Sequence, residues 1–188
     1  MTNISVKTAQ PHFRTLDLVY IAAGAALIAV CSWISIPTTV PFTLQTFAVF
    51  LLMTALGGKR GTLSVLVYLM LGAIGLPVFA QFTGGIGILL GNTGGYLAGF
   101  LLLGVVYLVV TRFFGEKTLP QIIALTAGLA VCYTFGTAWF MLVYTRANGA
   151  VGLGTVLGWC VIPFILPDLL KLALALIVAR RLEPVIRK

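Results

Sequence analysis

Along this chain long apolar runs alternate with short clusters of basic residues. No charged residue stands between Asp17 and Lys59, and none between Arg60 and Arg112. A helix rises about 1.5 Å per residue and a bilayer core is about 30 Å thick, so about 20 apolar residues make one crossing. Each uncharged run is therefore long enough to cross, turn and cross back. In the first run the turn is Pro37-Thr38-Thr39-Val40-Pro41. In the second it is the glycine-rich stretch from Leu76 to Phe100, where Pro77, Gly84-Gly85 and Gly94-Gly95 disfavour helix or permit φ > 0. The pattern predicts an all-α integral membrane fold of six transmembrane helices, at about 16-36, 43-56, 62-76, 94-111, 119-144 and 155-179. These form a single membrane domain, 1-188, behind a polar tail of residues 1-15. The loop between the third and fourth helices is expected to be re-entrant and to close a pocket.

Composition and charge sharpen this picture. Of the 188 residues 60% are hydrophobic and 9% charged, with a mean hydropathy of +1.11. A soluble domain of this size could not hide so much apolar surface. The net charge of +8 does not point to nucleic acid, because the basic residues flank apolar runs and form no patch with interleaved aromatics. With both termini cytoplasmic, six helices place Lys7, Arg14, Lys59, Arg60, Arg112, Lys117, Arg180, Arg181, Arg187 and Lys188 inside and leave Arg146 outside, as the positive-inside rule requires. Both uncharged turns then face outward. The run from Leu18 to Ile36 exceeds the apolar core of a removable leader, so none is expected.

Several chemistries find no support. Around Gly58-Lys59-Arg60 a nucleotide-binding P-loop would need glycine at Met53 and Ser or Thr at Arg60. Gly85, Gly87 and Gly91 lack both the spacing and the βαβ setting of a dinucleotide fingerprint. Cys31, Cys132 and Cys160 have no metal-ligand spacing and read as small packing residues. His12, the single histidine, lies in the polar tail and reads as solvated. Without a nucleophile-and-base pair or a metal cluster, an enzyme is not expected, and neither is a cofactor.

The candidate chemistry lies in the last span. Of the four acids, Asp17, Glu116 and Glu183 fall at predicted cytoplasmic boundaries and Asp168 alone falls within a helix. Lys171 follows by three residues, on the same helix face. An ionised residue in lipid faces the bundle interior, so a functional site is one reading and mutual neutralisation the other. Pro163 and Pro167 loosen the helix there. Asp168 lies about 18 Å along the helix from Arg180, in the outer half. Around this floor the outward loops bring Thr38, Thr39, Thr43, Gln45, Gln81, Thr83, Asn92 and Thr93, with Trp33, Phe42, Phe79, Phe82, Tyr96 and Trp159 as apolar walls. Such a pocket suits a small amphipathic solute. A proton- or ion-coupled secondary transporter would also use Asp168. On the first helix Ala22, Ala25, Ala26 and Ala29 form small-residue pairs at i, i+4 that admit another helix, from this chain or from a partner.

At these residues the chain resembles BioY, the membrane-embedded biotin-binding (S) component of energy-coupling-factor (ECF) vitamin transporters. The resemblance rests on Pro41-Phe42-Thr43-Leu44-Gln45-Thr46, on GGKRGTLSVLVYLMLGAIGLPVF from Gly57 to Phe79, on GGIGILLGNTGGYLAGF from Gly84 to Phe100, and on Pro167-Asp168-Leu169-Leu170-Lys171. It implies a six-helix protein of a bacterial-type cell membrane that binds biotin from outside. The family's binding positions would fall on Gln45, Thr83, Gly84, Gly85, Tyr96, Asp168 and Lys171, with Thr43 and Asn92 beside them. Asn92 stands where the family commonly has proline. The resemblance also implies partners, a coupling transmembrane subunit and two ATPase subunits, with the alanine ridge on the first helix as the docking surface.

Overall fold

The computed structural model describes residues 15–186. Lys7, Arg14, His12, Arg187 and Lys188 lie outside them. The described chain is a helical bundle: α1 (Thr15–Trp33), α2 (Gln45–Ala55), α3 (Gly58–Ala73), α4 (Ile86–Leu90), α5 (Gly94–Phe114), α6 (Thr118–Asn148), α7 (Leu153–Cys160) and α8 (Ile162–Ile186). It departs from α-helix in a 3-10 turn at Ala80–Phe82, closed by an antiparallel bridge between Phe79 and Thr83, and in one short strand pair. Ser35–Ile36 (β1) and Phe42–Thr43 (β2) pair antiparallel across the Pro37 to Pro41 turn.

Among the described residues four segments are long and apolar enough to cross a membrane: α1, α5, α6 and the combined run Leu153–Pro184. The other two expected crossings are shorter. At about 1.5 Å per residue the 11 residues of α2 span about 16 Å and the 16 of α3 about 24 Å. The physical reason lies at the start of α2 and the end of α3. Before α2 the chain is held extended by the β1–β2 pairing, and Thr43 Oγ1 accepts the first α2 N–H, from Gln45, at 3.2 Å. Beyond α3 the backbone enters the left-handed region at Gly75 (φ +102°) and then meets Pro77.

α2 is the axis of the bundle, with Gln45 and every residue from Ala48 to Ala55 buried. It packs against α8, α3 and α1, while α5 lies along α6. The α5–α6 contact is close because glycine replaces a side chain at several crossing points. A Cβ on Gly136 would lie 2.2 Å from the Tyr96 ring, and one on Gly95 would lie 2.3 Å from Trp139 Cβ. Gly99 likewise meets Cys132. Gly91, in register with Gly95 and Gly99 along the sequence, instead follows the end of α4, and a Cβ there would meet only the backbone of Gly87 and Ile88.

The last span is broken where proline chemistry requires it. α7 ends at Cys160, Val161 leaves helical geometry (φ −125°, ψ −58°), and Pro163 sits in the first turn of α8. Pro167 lies inside α8, so its missing N–H leaves the Pro163 carbonyl without a helical donor just above Asp168.

Candidate functional site

A cavity of about 240 Å³ opens between α2, α5, α6 and α8 and the loop that follows α3. Its floor is built by two residues one helical turn apart. Asp168 is 1% exposed and Lys171 6%, and their side chains form an ion pair at 2.8 Å. The ammonium has three protons and three acceptors: Thr43 O at 2.8 Å, Thr46 Oγ1 at 3.1 Å and Asp168 Oδ1 at 2.8 Å. It also sits 4.3 Å from the centroid of the Phe42 ring. Thr46 Oγ1 donates in turn to Asp168 Oδ1 at 2.8 Å, and the Tyr133 hydroxyl donates to Oδ2 at 2.6 Å. Asp168 lines the cavity, and with Tyr133 as its hydrogen-bond donor Oδ2 keeps acceptor capacity to spare.

Beside this floor, Gln45 is pinned by a 2.7 Å bond from Nε2 to the Tyr68 hydroxyl. Its Oε1 receives only a long contact, 3.5 Å, from Thr43 Oγ1. Tyr96 is held against Thr137 at 3.1 Å. The apolar walls are Phe79, Leu97, Phe100, Leu129 and Phe164, with Cys132 and Cys160 between them. Gln81, Thr83 and Thr93 form the rim.

The loop over the cavity is anchored from three helices. Ser32 Oγ on α1 donates to Val78 O at 2.5 Å and Trp33 Nε1 to Pro77 O at 2.9 Å. Trp139 Nε1 on α6 donates to Gly91 O at 2.9 Å. Gly85, at φ +99°, turns its N–H onto Gly72 O at 2.7 Å, a conformation that disfavours any side chain. Between these anchors Gln81 and Phe82 both hold φ of 57°. The exposed Phe82 stacks on Trp33, ring centroids 5.0 Å apart.

The sequence model of the BioY family matches residues 4–188. This chain belongs to the BioY family. It is 43% identical to the biotin transporter BioY of Thermotoga maritima over 84% of this chain and 90% of the relative. With the probable biotin transporter BioY of Pyrococcus horikoshii it shares 40% identity over 90% of this chain and 98% of the relative. Its fold matches the crystal structure of the S-component for biotin from an ECF-type ABC transporter, with a TM-score of 0.71 and 31% identity over 90% of this chain and 91% of that one. The chain is accordingly a multi-pass membrane protein.

Of the binding positions expected from sequence for this BioY-family chain, Thr43, Gln45, Thr83, Tyr96, Asp168 and Lys171 all line the cavity. Gly84, Gly85 and Asn92 do not. A Cβ on Gly84 would lie 2.2 Å from Leu76 O, so this residue serves the fold of the loop. Thr46 and Tyr133 were not singled out by sequence reasoning, yet both donate to the Asp168 carboxylate. The available signal for Thr46 was its place in the Pro41 to Thr46 segment, one residue from Gln45. Tyr133 carried none, standing 35 residues from Asp168 on another helix. The alanine ridge divides: Ala25 and Ala29 are buried in the chain's own core, whereas Ala22 and Ala26 are exposed.

A second cavity, about 450 Å³, lies at the opposite end of α2, among Asp17, Gly57, Lys59, Arg60, Arg112 and Glu116. There Arg60 pairs with Asp17 at 2.5 Å. It lacks the aromatic walls that a small amphipathic solute needs.

Proposed function

We propose that this chain captures biotin from the outer face of the membrane in the cavity above Asp168 and Lys171, as the substrate-binding component of an ECF-type transporter. The observation that carries the reading is the buried ion pair. It presents an ionised Asp168 whose Oδ2 can accept one more hydrogen bond, beneath walls suited to an apolar ring. Biotin matches this: a ureido N–H donates to Asp168, and the thiophane ring packs against Phe79, Tyr96 and Phe164. Lys171, with all three protons engaged, orients Asp168 and Thr43 and does not touch the ligand.

Six membrane crossings follow on this reading: α1, α2 with β2, α3, α5, α6, and α7 with α8. Both termini are cytoplasmic, so the cavity opens outward. The loop from Leu76 to Thr93 acts as the lid, and the left-handed backbone at Gln81 and Phe82 marks the part that moves. The chain has no Walker motif, so energy comes from a coupling subunit and ATPase partners. Ala22 and Ala26 are the exposed small residues through which the coupling subunit would approach.

Titration calorimetry of the purified full chain with biotin, thiamine and riboflavin tests this. Saturable binding of biotin alone is expected, lost in Asp168→Asn while thermal unfolding remains cooperative. Saturation by thiamine or riboflavin in place of biotin would overturn the substrate assignment, and full binding by Asp168→Asn the site.

A further inference from the structure

We propose that the cavity recognises its ligand through the bicyclic head alone, the ureido group on the floor and the thiophane ring on the walls, so that the charge at the end of the valerate tail plays no part and biotin amides are ligands of this chain on the same footing as free biotin. This rests on the biotin reading above and extends it to the class of molecule accepted.

Among the described residues lining the cavity Lys171 is the only cation and Asp168 the only acid, so this lining carries no net formal charge. Every Lys171 proton is already committed, to Thr43 O, Thr46 Oγ1 and Asp168 Oδ1. A carboxylate entering head first would find no unshared ammonium proton. The open valences on the floor are acceptors: Asp168 Oδ2 beyond its bond from Tyr133, and Gln45 Oε1 beyond its long contact with Thr43. Acceptors of that kind attract N–H donors and repel a second carboxylate, most strongly in a water-poor site.

The tail must therefore point away from the floor, toward the rim. Gln81 is exposed there and Thr83 and Thr93 are half-buried, and all three are uncharged. Placing a carboxylate among the apolar walls without a cation would be costly, so its resting place is the hydrated rim. At a hydrated rim without a cation an amide is accommodated as well as an acid.

The test is competition against radiolabelled biotin on the purified full chain, with biotin primary amide and biotinyl-lysine as competitors. Both are expected to compete within tenfold of unlabelled biotin. A loss of more than tenfold for either, with biotin itself binding saturably, overturns this inference and leaves the biotin reading intact. Absence of saturable biotin binding overturns the parent reading and this one with it.

Discussion

Three acceptors surround the Lys171 ammonium and three donor contacts converge on the Asp168 carboxylate, so neither charge could lose its partner cheaply. Breaking a buried pair by removing one member typically costs about 3–5 kcal/mol, whereas replacing both by apolar residues of similar volume is often neutral. Lys171→Ala should accordingly destabilise by about 3–5 kcal/mol. The double variant Asp168→Leu with Lys171→Met should unfold near the temperature of the parent while failing to bind biotin. Unfolding in detergent, measured beside ligand titration, checks both. If the double variant bound biotin, the pair would be structural only. The pair could be read from the sequence because charges within an apolar span are rare. Thr46 and Tyr133 could not, because Thr and Tyr are ordinary in membrane helices and become significant only through the phase of α2 and α6 about α8.

The packing of elements determines how the walls stand. Gly136 on α6 leaves room for the Tyr96 ring, which lines the cavity. Gly136→Ala should push that ring toward the ligand's space, weaken biotin binding at least tenfold, and cost about 1–3 kcal/mol through overpacking. Gly154→Ala, where an added Cβ meets nothing within 4 Å, is the matched control and should leave binding unchanged. The loop over the cavity is a second element with a measurable consequence. Its backbone is held by Ser32, Trp33 and Trp139, while Phe82 is 63% exposed. Cleavage by chymotrypsin at Phe82 should be slowed by biotin. Equal rates with and without biotin would argue against a lid. The close packing of Gly95 and Gly99 on α6 follows from their four-residue spacing, but that Gly91 lies outside α5 does not, since it depends on where the helix begins.

At the scale of the whole molecule the proposed orientation is testable by labelling. Thr38 and Gln81 are exposed at the turns proposed to face outward, and Lys117 is exposed at the α5–α6 turn proposed to face inward. The native Cys31, Cys132 and Cys160 are all buried, so single cysteines can be read against a low background. In intact cells an impermeant maleimide should label Thr38→Cys and Gln81→Cys at once, and Lys117→Cys only after permeabilisation. The reverse pattern would invert the topology and close the cavity to external biotin.

Hydropathy and charge spacing were enough to establish a helical membrane protein and to single out Asp168 and Lys171, because the cost of burying polar groups in lipid acts on every residue independently of fold. The motifs from Pro41 to Thr46 and from Gly84 to Phe100 were enough for the family. Which helices are long enough to span alone, which two alanines remain exposed, and which hydroxyls hold the carboxylate were settled by packing. Those properties depend on the rotation of one helix against another and on where a short β pairing or a left-handed glycine ends it. That same packing engages all three Lys171 protons, which on the proposed reading makes a conspicuous cation the support of its neighbour.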